Sequence, residues 1–239
     1  MSKLKLTNLE KSWVLYDVGN SAFTLLVSTL FPIYFNAISS QAGLSQVQYM
    51  AYWGYATSIV TVIVAVLGPV FGTITDFKGY KKPIFIGSLV IGAIGCCMMG
   101  MTASWLIFLI IYIIAKCGYS ASLVFYDSMI NDVTTEERMD DVSSRGFAWG
   151  YIGSCVPFVL GLLLVLFGDK IGLSQITSMS VAFTITAVWW VVLTIPLLKN
   201  YKQVNYVKKE QGVVAGSFKR LGKTLVNIKN EKSVFLFLL

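Results

Sequence analysis

Six apolar runs, near 13–37, 49–75, 84–103, 105–126, 147–168 and 176–198, fill most of this sequence. Each is long enough to cross a hydrocarbon core, which takes about 20 helical residues. In lipid the backbone must satisfy its own hydrogen bonds, so the choice is between helices and a closed barrel. Barrel strands read as alternating segments of about 10 residues, and the run IFIGSLVIGAIGCCMMGM does not alternate. The expected fold class is therefore an all-α membrane protein with six transmembrane helices. Composition agrees: 13% of residues are charged, against about 25% in ordinary soluble domains.

Basic residues set the orientation. Lys3, Lys5 and Lys11 precede the first run, Lys78, Lys81 and Lys82 follow the second, and Arg138 and Arg145 follow the fourth. Residues 199–232 are rich in Lys and Arg, whereas the opposite connections carry only Lys170. The positive-inside rule places the N-terminus, the 2–3 and 4–5 connections and the 199–232 segment in the cytoplasm. The formal charge of +7 is thus a topology signal, with no nucleic-acid partner implied. The first run is too long for the apolar region of a cleavable leader, carries Asp17 and lacks a small-residue cleavage site, so it is expected to stay as the first helix. Four cysteines without ligand spacing and no histidine support neither a disulfide framework nor a metal site. No cofactor is implied.

Polar residues interrupt two of the runs. In WVLYDVGNSAFTLLVS, Asp17 is followed by Asn20, Ser21, Thr24 and Ser28, spaced as one polar stripe on a helix. A carboxylate facing lipid costs about 3 kcal/mol or more, so the stripe must face protein or water. It is either a hydrogen-bonding seam between helices or a wall of a solute path. In the fourth run Lys116 lies near the middle, with Ser120 and Asp127 on its face. An ammonium at that depth reads as a functional candidate by solute contact; snorkelling or pairing with Asp17 or Asp127 are the structural alternatives. Asp17 is also the candidate proton carrier. Gly68-Pro69-x-x-Gly72 and the series Gly146, Gly150, Gly153, Pro157, Gly161 allow close, bendable helix contacts or ordinary packing. Trp53, Trp105, Trp189 and Trp190 read as interfacial or lipid-facing.

The stretch GTITDFKGYKK, Gly72 to Lys82, resembles the loop signature of the major facilitator superfamily: Gly72, Asp76, Gly79, then Lys81 and Lys82. Gly72 would permit close helix contact, Asp76 would end the helix, Gly79 would allow the sharp turn, and the lysines would hold the connection in the cytoplasm. Phe77 stands where that superfamily often has arginine. WVLYDVGNSAF and VFYDSMINDVTTEERMDDVSSRGFAWGYIGS, which contains Arg145, Gly146 and Gly150, resemble the branch named for vacuolar amino-acid effluxers. The resemblance implies two six-helix halves, each built of two inverted three-helix repeats, and a small solute, most readily an amino acid, moved by alternating access without covalent chemistry. Tyr16-Asp17 and Tyr126-Asp127 are a faint echo of the internal repeat.

On this reading residues 1–198 form the N-terminal transmembrane domain, 199–232 a basic cytoplasmic linker, and 233–239 the start of a seventh helix whose partner would be a C-terminal half. SFKRLGKTLVNIKNEKS is either an interfacial amphipathic helix or a solvated basic loop. The implied setting is a bacterial cell membrane, with the lipid bilayer, the solute and possible coupling protons as partners. Two rivals stay open: a complete six-helix homodimer, and an intramembrane aspartic protease using the two Tyr-Asp pairs. GxSxG, HExxH and P-loop patterns are absent from the sequence.

Overall fold

The computed structural model describes residues 5–206, and the regular elements among them are all helical. They are α1 (Asn8–Ser28), α2 (Leu30–Gln41), α3 (Gln46–Thr75), α4 (Lys81–Met99), α5 (Trp105–Val133), α6 (Glu136–Phe167), a short 3₁₀ turn (Gly168–Ile171) and α7 (Gln175–Asn200). With α1 and α2 taken together, six spans are long and apolar enough to cross a membrane. Of the expected linker at 199–232, residues 199–206 are described and the first two complete α7; residues 207–232 and the run at 233–239 lie outside the described residues.

The first run is broken at Thr29, whose backbone leaves the helical region. Pro32 lies three residues on and cannot donate to the carbonyl of Ser28, which loosens the ladder there. The Thr29 hydroxyl instead donates to the Leu25 carbonyl at 2.5 Å. Both ends of the bundle are otherwise specified locally. Thr7 and Glu10 form a reciprocal capping box at the start of α1, and Ser45 and Gln48 form another at the start of α3. Such pairs satisfy two orphan donors each.

The connection between the fourth and fifth runs is shorter than the sequence suggests. The fourth run continues as helix to Val133, and α6 begins at Glu136. EERMDDVSSR is therefore helical, and Arg145 sits within α6, where its Nε donates to Asp141 at 3.1 Å one turn earlier. Glutamates at the first turn of α6 favour that start, because negative charge there complements the helix dipole.

Packing centres on α1, α4, α5 and α7. At their contact lie the rings of Phe23, Tyr119 and Trp190, with Phe31, Phe108 and Phe183 nearer the other end. Trp190 is fully enclosed, which corrects the interfacial or lipid-facing reading of this residue. Its ring fills the space over Gly92, where a Cβ would come within 2.7 Å of it. Gly118 of α5 lies equally close to α4, 2.9 Å from the Gly92 nitrogen by the same measure. By contrast α3 leaves Val62, Val66 and Leu67 exposed, a face suited to lipid or to another helix.

Candidate functional site

The polar stripe of α1 faces the protein and a recess, with lipid excluded from its buried part. Asp17 and Asn20 are buried, whereas Thr24 and Ser28 are exposed. Asn20 donates to Asp17 Oδ1 at 3.3 Å, and the Thr24 and Tyr119 hydroxyls are 2.5 Å apart. Across the stripe runs α6, whose glycines meet it. A Cβ at Gly146 would lie 2.9 Å from the Trp13 ring and 3.3 Å from Asp17 Oδ2; one at Gly150 would lie 2.8 Å from Ser21 Oγ and 3.2 Å from Asp17 Oδ2. The glycines thus let backbone approach a carboxylate that a side chain would obstruct.

Asp17 lines two adjoining recesses. One, of about 460 Å³, also contains Asp127, Asp140, Trp13, Tyr126 and Ser143; the other, of about 370 Å³, contains Asn20, Ser21, Thr24, Ser28 and Tyr119. Leu123 and Phe147 border both, so together they form one groove along α1, α5 and α6. The two Tyr-Asp pairs meet here, with the Tyr16 and Tyr126 rings 4.4 Å apart. A third recess of about 480 Å³ lies on the outer face of α7, lined by Val181, Ile185, Val188 and Val192 with Ser180 and Thr184. It has no ionisable lining, and its surroundings suit acyl chains.

Lys116 is placed apart from the carboxylates. Its Nζ lies 4.4 Å from the centroid of Tyr119 and 5.9 Å from that of Phe23. Among the described residues it forms no ion pair. The pairing considered with Asp127 fails on distance, since 11 residues of helix separate them by about 16 Å. Nor is Asp17 its partner: the Asp17 carboxylate makes no ion pair among the described residues, and its Oδ1 accepts from Asn20. Half-buried Ser120 lines neither recess.

The loop signature divides. Gly79 takes φ +82°, as its turn requires, and its N–H donates to Gln203 at 2.9 Å. Asp76 caps the end of α3. Around Gly72, a Cβ would meet nothing within 4 Å among the described residues, so the close contact expected there is not made within this bundle. Lys82 is half-buried. Lys81 is 4% exposed and donates to Asp132 at 3.4 Å and to the Ser128 carbonyl at 3.2 Å. It is therefore an interior ion-pair partner. Asp132 also accepts from Tyr201 at 2.5 Å and from the backbone of Val204 and Asn205 at 3.1 and 2.7 Å.

A second enclosed carboxylate, Glu10, accepts from Arg138 through two nitrogens at 2.8 and 2.7 Å and from Thr134 at 2.7 Å. These contacts join the start of α1 to the α5–α6 connection. Glu10, Asp132 and Tyr201 did not emerge as sites from sequence. The T-x-x-E spacing of Thr7 and Glu10 signals the cap, but nothing in the spacing couples Lys81 to a residue 51 positions on.

A family described as vacuole effluxer Atg22-like matches this chain over residues 8–136 and 131–239. An uncharacterized MFS-type transporter, YxiO of Bacillus subtilis (strain 168), is 42% identical over 240 residues, which cover 98% of this chain and 56% of the relative. The chain thus spans about half the length of that relative. No solved structure matches.

Proposed function

The chain belongs to the vacuole effluxer Atg22-like family, within the major facilitator superfamily, and on that premise we propose that it moves a small solute across a membrane by alternating access. The observation that carries this reading is the groove of α1, α5 and α6, where buried Asp17 and the exposed hydroxyls of Thr24 and Ser28 border open space. A purely structural seam would leave no open space beside those groups. In transporters of this architecture the solute sits between two halves. The greater length of the Bacillus relative leaves room for a second half across the groove.

The solute class we favour is an amino acid, on the family resemblance and on a groove with space for one. Basic residues gathered at the Lys78, Arg138 and Lys199 end support a cytoplasmic side for that end and for the N-terminus, and the setting we favour is a bacterial cell membrane. Asp17 is the proton carrier if transport is coupled to protons. No covalent step is required.

The test is solute exchange in liposomes holding the complete polypeptide of the reading frame, loaded with a mixture of unlabelled amino acids and supplied with each labelled one outside. Counterflow of at least one labelled amino acid, absent from empty liposomes, is expected. No counterflow of any would refute the amino-acid reading.

A further inference from the structure

From this groove, and resting on the transport reading, we infer that the Asp17 recess receives a protonated amine, and that Asp17 Oδ2 is the atom that accepts its hydrogen bond. The recess of about 460 Å³ is lined by three aspartates, Asp17, Asp127 and Asp140, and by no lysine or arginine. Nor does the adjoining recess contain a basic residue. A carboxylate or phosphate entering here meets like charge with no compensating cation, whereas an ammonium meets opposite charge in surroundings of reduced dielectric.

The geometry singles out one oxygen. Asp17 is 7% exposed, and its Oδ1 accepts from Asn20. Its Oδ2 accepts no hydrogen bond among the described residues and is not fully enclosed, so it stays open toward the recess. Gly146 and Gly150 stand beside that oxygen, where any Cβ would come within 3.3 and 3.2 Å of it. The buried Tyr126 hydroxyl on the same wall also has no partner among the described residues. An ammonium carries three donors and no acceptor, which complements an acceptor left open in this way.

The aromatic walls act in the same sense. Trp13 and Tyr126, stacked with centroids 4.2 Å apart, complete that wall without adding a positive charge. A metal ion is a poorer fit, because hard cations gather several oxygens at about 2.0–2.6 Å. Among the described residues no cluster of three or more candidate ligands is close enough to hold one. Lys116, beside Phe23 and Tyr119, lines neither recess. It leaves the amine as the group this recess reads.

The test uses three probes of similar shape on the complete polypeptide in detergent: phenylalanine, 2-phenylethylamine, which keeps the amine alone, and 3-phenylpropionate, which keeps the acid alone. Thermal melting is followed across a concentration series for wild type, Asp17→Asn and Asp127→Asn. Both amines should raise the melting temperature of wild type and the acid should not. Asp17→Asn should weaken the amine response by roughly tenfold or more, the scale of one charge-assisted hydrogen bond. Should Asp17→Asn fail to fold, Asp127→Asn decides, since Asp127 is exposed and its change leaves the bundle intact; a weaker amine response is expected there too. The inference is overturned if the acid stabilises as well as the amines, if no probe stabilises wild type, or if the folded variants respond like wild type. Amine binding without counterflow would remove the transport reading and keep the amine site; counterflow without an amine preference would do the reverse.

Discussion

The ammonium of Lys81 stands 3.4 Å from a carboxylate oxygen of Asp132, with side-chain exposures of 4% and 0%. The partners are unequal. Asp132 accepts from Tyr201, Val204 and Asn205 as well, whereas Lys81 has the Ser128 carbonyl besides. Removing one member of a buried pair costs about 3 to 5 kcal/mol when the other is stranded. Asp132→Ala should therefore approach that loss in the thermal stability of the purified protein. Lys81→Ala should lose clearly less, because the remaining carboxylate keeps three donors. Equal losses would contradict the assignment of those donors.

Gly146 and Gly150 both face α1 but meet different kinds of neighbour. A Cβ at Gly150 presses on Ser21 Oγ, which can rotate away. At Gly146 it presses on the Trp13 indole, which is stacked on Tyr126 and donates to its carbonyl at 3.2 Å. Overpacking a fixed neighbour costs about 1–3 kcal/mol. Gly146→Ala should lie in that range and Gly150→Ala below it, read as the difference in melting temperature.

Lys116 has ring faces for neighbours and no carboxylate partner among the described residues. A cation over an aromatic ring is worth about 0.5–2 kcal/mol, and burial of the ammonium offsets this. Lys116→Met should therefore leave stability within about 1 kcal/mol of wild type. A loss several times larger, rescued by Asp17→Asn, would show an ion pair that the geometry does not contain.

The sequence made the six spans legible because lipid removes every alternative to a helix for apolar runs of that length. It also brought Asp17, Asn20 and Thr24 to one face, since the helical repeat fixes their relation. Trp190 was misread because tryptophan is amphipathic and its depth depends on Gly92 across the helix contact. The ion pair of Lys81 was not legible for a related reason: basic residues near a membrane boundary count toward topology whether or not they are solvated, and the carboxylate that pairs with this one comes from another helix. The Glu10–Arg138 and Lys81–Asp132 pairs join positions far apart in the chain, so packing alone brings them together.

Orientation can be read by labelling. In a background lacking Cys96, Cys97, Cys117 and Cys155, single cysteines at exposed Gln41 and Lys170 should react in intact cells with an impermeant thiol reagent, and one at exposed Lys78 should not. Lys81 is unsuitable because it is enclosed. Labelling at Lys78 from outside would reverse the proposed topology.

Passage of solute along the groove bordered by α1, α5 and α6 can be tested by blocking it. In the same cysteine-free background, cysteines are placed at Thr24 or Ser28 in the groove and at Val188 on the outer face of α7; all three positions are exposed. Solute counterflow in liposomes is then measured before and after reaction with a bulky, charged thiol reagent supplied on both sides. Modification at Thr24 or Ser28 should stop counterflow, while modification at Val188 should leave it unchanged. Full flux through protein verified as modified at both groove positions would contradict it.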